Sequence, residues 1–437
     1  MVSRRMVLAG LGVGTAALWA AAPLRAQALP GADPGSDMTG TLQAEIDAAA
    51  TGTGRLDLPP GRFFTRGLRL PSGLVLTGVP GATMLVHAGD DPLLLIEGAE
   101  GVLVSGVGFD GSGAGGERWH GGLVHVEGSD NVTLRDCIAG NTRLNAITVL
   151  DASASVETCT ASDSDQNGIF VFDGRGVRVA GNHVFDCRNG GVRVWRGESG
   201  PDGTVVTGNR IRAIDWRDGG NGQNGNGINV FRADGVVVSD NAIADCTFSA
   251  IRLNATNNTV VSGNTCLNSG EVAIFSEFEF SGSAITGNVI EGAAAGISMT
   301  NYIDGGRLAT CSGNIVRNIF PRSAVNPDTT PYGIAAEADA VVSGNVVEPG
   351  NGVGIAVGWG PYLRDVLVTG NMVRDADAGI VVSVAEGAGA AVVTNNMVSG
   401  ARRYGIAASA WDEVQSTDLQ ADAGRFPQLT VAGNAVV

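Results

Sequence analysis

Apolar residues recur along this chain in short runs, and most runs end in a small residue followed by asparagine. They read Val179-Ala180-Gly181-Asn182, Val206-Thr207-Gly208-Asn209, Val238-Ser239-Asp240-Asn241, Val261-Ser262-Gly263-Asn264 and Ile285-Thr286-Gly287-Asn288, and continue through Asn314, Asn345, Asn371, Asn396 and Asn434. A second series is interleaved: Ala146-Ile147, Gly168-Ile169, Gly191-Val192, Gly227-Ile228, Ala250-Ile251, Ala273-Ile274 and Gly296-Ile297, then Ile334, Ile355, Ile380 and Ile406, each after glycine. Nine or ten residues separate each asparagine from the next Ile or Val of this series, with two exceptions of about twenty. Two independent series in one register mark a repeat architecture.

The period, mostly 22 to 26 residues, predicts an all-β solenoid, a single-stranded parallel β-helix. Each coil supplies three short strands that pair with their counterparts one coil later, and inward rows stack Val on Val and Ile on Ile. Asparagine suits the turn because its short amide accepts a left-handed backbone and can bond to the asparagine of the next coil. A leucine-rich repeat would need a Leu-dominated consensus, and a hexapeptide solenoid a six-residue period; neither is present. At about 4.8 Å per coil, roughly a dozen coils give a rod on the order of 60 Å long.

The N-terminal part fits the same plan. Residues 41–50 place Leu42, Ile46 and Ala49 on one helical face before Thr51-Gly52-Thr53-Gly54 stops the helix. A segment over 29–50 containing this short helix would cap the first coil, whose strand edges are otherwise open, and the β-helix domain would run over 51–437. Residues 1–28 read as an address: Ser3-Arg4-Arg5-Met6-Val7-Leu8 precedes an apolar, Gly-interrupted stretch, and Ala26-Gln27-Ala28 offers a signal-peptidase site. This resembles a twin-arginine export signal. It implies passage through the twin-arginine translocation machinery to the periplasm or outside a bacterial cell, with no permanent membrane anchor.

Composition narrows the chemistry. The chain has no lysine, and all 28 basic residues are Arg. That excludes a Walker-type phosphate loop, a Schiff-base enzyme, a protein kinase and a lysine general base. The net charge is −16, becoming −19 once Arg4, Arg5 and Arg25 leave with the signal, so bulk attraction to nucleic acid is excluded as the basis of binding. The arginines are nonetheless gathered: residues 188–252 hold eight, whereas 253–306 hold none and carry Glu271, Glu277, Glu279, Glu291 and Asp304. The four histidines, including His120 and His125, form no metal-ligand pattern; Ca2+ is indicated by no motif, and no cofactor is expected. Cys137 and Cys159 fall in the asparagine row one coil apart, as stacked thiols within disulfide range. Cys266 and Cys311 fall in inward apolar rows.

Taken together, the repeats, the helical cap and the export signal resemble the right-handed parallel β-helix superfamily of pectate lyases and polygalacturonases. They are similar, more narrowly, to the twin-arginine-exported β-helix repeat proteins of proteobacteria. The Asn-Thr-Asp, Gly-His-Gly and Arg-Ile-Lys signatures of polygalacturonases and the Asp-Pro-His-Glu of alginate epimerases are absent, and the one Asp-Asp pair, Asp90-Asp91, lies ahead of the asparagine repeat. The resemblance implies that the outer face of the sheet opening with Gly-Ile binds polysaccharide. If Ile169, Val192, Ile228, Ile251 and Ile274 point inward, the outward positions are Phe170 and Phe172, Arg193 and Trp195, Asn229 and Phe231, Arg252 and Asn254, then Phe275 and Glu277.

Aromatic faces stack on sugars and Arg binds carboxylates bidentately, so the strip suits an anionic glycan, with Arg193, Trp195, Asn229, Phe231, Asn254 and Phe275 as binding residues. For lyase or epimerase chemistry, Arg252 or Arg193 would neutralise the uronate and Glu277 or Asp215 would act as base. For hydrolysis, the available carboxylates are Glu277 with Asp215 or Asp218. Two rival readings are a non-catalytic glycan-binding or envelope scaffold, and a periplasmic protein of metal-site assembly. The scarcity of His and the lack of Met clusters count against the last.

Overall fold

A computed structural model describes residues 36–89, 92–115, 120–220 and 222–437. The export signal expected in residues 1–28 lies outside the described residues.

The predicted repeat is a parallel β-helix. One face is a sheet of fifteen strands running from Arg55–Asp57 to Leu429–Ala432, each hydrogen-bonded to its counterpart one coil on. The other two strands of each coil merge round a corner into a second, 28-stranded sheet. The stack exceeds the dozen coils counted from asparagines, because the Leu-rich coils before Asn131 stack in the same register: Leu56 on Leu76, then Leu76 on Val104. Apolar rows fill the interior, as in Ile228, Ile251, Ile274 and Ile297, all fully buried. The cap helix, Thr39–Thr51, lays Leu42 and Ile46 against the first coils, each 1% exposed.

The asparagines form one continuous ladder. Asn264 shows the pattern: its Nδ2 donates to Asn288 Oδ1 at 3.0 Å and to Val238 O at 3.0 Å, while its Oδ1 accepts from Asn241 Nδ2 at 2.9 Å and Asn241 N at 3.0 Å. The ladder runs from Asn182 to Asn434. The conformational part of the expectation is corrected: the left-handed residue is the one before each asparagine, Gly181, Gly208, Asp240, Gly263 and Gly287 among them, with φ between 57° and 66°. The small residue makes the turn, and the asparagine is kept for its amide. Cys159 heads the ladder, its N–H donating to Asn182 Oδ1 at 2.9 Å, with Cys137 one coil before it. Both are buried free thiols, as are Cys187, Cys246, Cys266 and Cys311.

Candidate functional site

Strand register fixes the outer face. Phe170, Arg193, Asn229, Arg252 and Phe275 stand in one row, and Phe172, Trp195, Phe231, Asn254 and Glu277 in the next. Both rows point outward, as side-chain alternation requires, yet much of this face is closed to water. The long insertion after Ile214, one of the two spacings of about twenty residues, folds across it. Trp216 stacks on Phe248 at 5.1 Å, and Asp218 exchanges hydrogen bonds with the Asn189 amide at 2.6 and 3.0 Å. Gly222 O accepts from Asn226 Nδ2 at 2.7 Å and Asn229 Nδ2 at 3.3 Å. Gly222 has φ 143°, and a Cβ there would lie 2.4 Å from Arg252 Cζ, so only glycine lets the backbone rest on the guanidinium. Arg193, Asn229, Arg252 and Glu277 are consequently 1–6% exposed.

At the centre Arg252 is gripped by two carboxylates. Its Nε and Nη2 donate to Glu277 Oε1 and Oε2 at 2.5 and 2.7 Å, and Nη1 to Glu271 Oε2 at 2.7 Å. Burial works against the Arg252 charge, but pairing with Glu277 and Glu271 outweighs it and holds the guanidinium above its usual range. Asn254 Nδ2 donates to Glu277 Oε1 at 2.9 Å, and Asn326, from the second long insertion, to Glu271 Oε1 at 2.8 Å. Arg252 and Glu277 are therefore each other's partners, where the sequence alone left both as single side chains on the face. Glu271 enters this cluster through a register shift between Ser269 and Val272. Strand alternation gave no sign of it.

Arg193 is the opposite case. It makes no ion pair among the described residues. Its Nη2 donates to the neutral acceptors Asn189 O at 3.1 Å, Gln223 O at 2.7 Å and Asn224 Oδ1, while its Nε has no hydrogen-bond partner among the described residues. Burial lowers its pKa to about 9, against support from Asp218. Its guanidinium lies over the Trp195 ring at 4.7 Å.

Beside these groups opens a pocket of about 190 Å³, lined by Trp195, Asn229, Phe231, Arg252, Asn254 and Glu277 together with Gly222, Gln223 and Phe278. Six residues expected from sequence meet here. Trp195 Nε1 donates to Asn229 Oδ1 at 2.7 Å, and Phe231 meets Trp195 edge to face at 5.8 Å. Phe275 lies beneath Arg252 at 5.1 Å. Asp215 does not join them. It is exposed and lines a separate groove of about 570 Å³ with Asp163, Asp165, Asp186, Arg143 and Arg188. The pairing of Glu277 with Asp215 is thus not made in this structure, because the chain leaves the sheet corner at Asp215 before crossing the face. Asp218 is held by Asn189, which fastens the covering loop.

Glu337 had no sequence signal. The register carries it into the row of Glu277, two coils on, where its Oε2 accepts from Tyr302 N at 2.7 Å. Burial pushes its pKa up to about 7, against backbone hydrogen bonds from Tyr302 and Asn301. A carboxyl raised in the folded state stabilises most below its unfolded value and loses that contribution as pH rises through the folded one. Denaturant unfolding of Glu337→Gln at pH 5 and pH 8 should therefore show the variant gaining on the parent at the higher pH, by at most about 3 kcal/mol.

Comparison with known proteins agrees with this architecture. The family described as "Right handed beta helix region" matches residues 93–222. The chain is a right-handed parallel β-helix protein. A second family, "Periplasmic copper-binding protein (NosD)", matches residues 212–331 of the β-helix. No curated protein sequence matches the chain. Among solved structures, PfbA, a surface adhesin of Streptococcus pneumoniae, is 14% identical with a TM-score of 0.51, over 88% of this chain and 91% of its own. The Dettilon tailspike protein (gp208) is 14% identical at TM-score 0.49, over 93% of this chain and 66% of its own. The mannuronan C-5 epimerase AlgE6 A-module of Azotobacter vinelandii is 16% identical at TM-score 0.42, over 92% and 96%. The likeness to PfbA is one of fold.

The residues matched to the copper-binding family do not suit copper. Residues 212–331 contain no His, and Met299 is 1% exposed. Burial pushes the Cys266 and Cys311 thiols up to about 12, which disfavours the thiolate a metal needs. Among the described residues no three His, Cys, Asp or Glu are grouped to hold a metal ion.

Proposed function

We propose that this β-helix binds an anionic polysaccharide on the outer face of its Gly-Ile sheet. The carrying observation is the pocket itself: two aromatic faces, Trp195 and Phe231, two amides, Asn229 and Asn254, and a carboxylate held by Arg252, converging on a volume of about 190 Å³. That is below the roughly 300–1,000 Å³ of sites for drug-sized ligands and suits one sugar unit of a chain running along the sheet. Stacking on the indole would orient the ring, and the amides and Glu277 would read its hydroxyls. An acidic sugar is favoured because the buried Arg193 charge beside Trp195 lacks an anionic partner among the described residues. Arg252 serves in this reading as the group that fixes Glu277, and Phe275 supports Arg252.

The export signal and the likeness to a family described as periplasmic support action in the periplasm or outside the cell, reached through the twin-arginine machinery. Among the described residues no helix is long and apolar enough to cross a membrane. The experiment is to incubate the chain with uronic-acid and neutral glycans, following binding, unsaturated-product absorbance and new reducing ends. Binding of a uronate polymer that Phe231→Ala weakens about tenfold supports the proposal. Turnover would add catalysis to it, and absence of binding to every uronate polymer would overturn it.

A further inference from the structure

The coils after residue 350 carry an aromatic group that the pocket does not use. Trp359 and Trp411 are 44% and 47% exposed, their rings 5.7 Å apart and nearly perpendicular, and Tyr362 meets Trp411 at 6.3 Å. Residues 359–362 form a small turn closed by reciprocal backbone hydrogen bonds between Trp359 and Tyr362, at 3.2 and 3.0 Å. Gly360 lies so close to the Trp411 ring that a Cβ would fall 2.5 Å from it.

Trp411 is also strained. It begins the two-residue connection between strand Tyr404–Ala410 and the antiparallel strand Glu413–Ser416, with φ 54°. That conformation favours Gly or Asn in such hairpins and is unfavourable for a bulky side chain. Neither exposure nor strain is what a structural tryptophan needs. Both are what a presented ring face needs.

The neighbouring charge selects the partner. The loops around the rings, 358–363, 384–389 and 410–413, contain no Arg and carry exposed Glu386, Asp412 and Glu413. An anionic sugar would be repelled here, whereas the C–H face of an uncharged pyranose can stack on an indole. The strand before Trp359 is three coils on from the strand of Glu277, or ~14 Å at one strand spacing per coil. The rings therefore form a place apart from the pocket.

We propose that Trp359, Trp411 and Tyr362 form a second carbohydrate site, which takes uncharged sugar units. The test titrates the full chain with β-1,4-linked hexamers of glucose and of N-acetylglucosamine, and with a galacturonic acid hexamer, by tryptophan fluorescence and calorimetry. At least one uncharged hexamer should bind, and bind about tenfold more weakly to Trp359→Ala and to Trp411→Asn, while Phe231→Ala leaves it unchanged. Trp411→Asn suits the turn, so its Tm should not fall, and it gives the reading if Trp359→Ala folds poorly. The proposal is overturned if no uncharged hexamer binds, if binding survives both tryptophan substitutions, or if Phe231→Ala removes it. The last result would move the ligand to the pocket. Loss of galacturonate binding alone would count against the pocket and leave this site standing.

Discussion

Replacing Arg252 with alanine is expected to destabilise the protein by about 3–5 kcal/mol, because it strands two carboxylates, Glu271 and Glu277, in a dry site. Both are at most 2% exposed, and each has Arg252 as its cationic partner. Arg252→Lys should recover part of the loss, since an ammonium keeps the charge but cannot bridge Glu277 through Nε and Nη2 at once. Glu277→Gln should cost less than Arg252→Ala, because Glu271 still neutralises the guanidinium. Denaturant unfolding measures the size of each effect. Amide hydrogen exchange measures its place, which in a solenoid should be strands Asn226–Asp234, Ile251–Asn254 and Thr265–Glu277 and their neighbours. A loss below about 1 kcal/mol for Arg252→Ala would mean that water reaches the cluster.

Asn264→Ala should be comparably damaging, at roughly 4 kcal/mol, since several buried polar groups lose a partner together. Asn241 N and Nδ2, Val238 O and Asn288 Oδ1 all bond to this one amide. The backbone would be little affected, because the left-handed residue is Gly263. Asn434→Ala, at the half-buried last position of the described ladder, should cost about 1 kcal/mol. Equal losses at the two positions, measured by the same unfolding experiment, would show that the ladder does not act through burial.

The fold was legible because one coil repeats every two dozen residues, and a mistake in register would have put Val179, Val206 and Val238 outside. Strand alternation likewise identified which side of the Gly-Ile strands bears Trp195, Phe231 and Glu277. It could not say what lies over that side. Gly219, Gly220, Gly222 and Gly225, all at positive φ, turn the insertion across the face, and its course is set by Trp216 on Phe248 and Asp218 on Asn189. Those contacts link residues with no periodic relation. The same holds for Glu271, which a register shift swings under Arg252, and for Glu337, whose burial depends on the turn at Asn301. Asp215 looked like a partner for Glu277 because it starts the insertion, but its side chain remains on the corner of the coil.

The central claim is that a sugar unit sits against Trp195 and Phe231 on the outer face of the sheet. Its most direct test is a crystal structure of the protein with the uronate oligosaccharide that binds it most tightly. The account predicts one sugar ring in the pocket of Trp195, Asn229, Phe231, Asn254 and Glu277, with its acid group turned toward Arg193. An oligosaccharide held in the groove of Asp163, Asp186 and Asp215 instead, with the pocket empty, would contradict it.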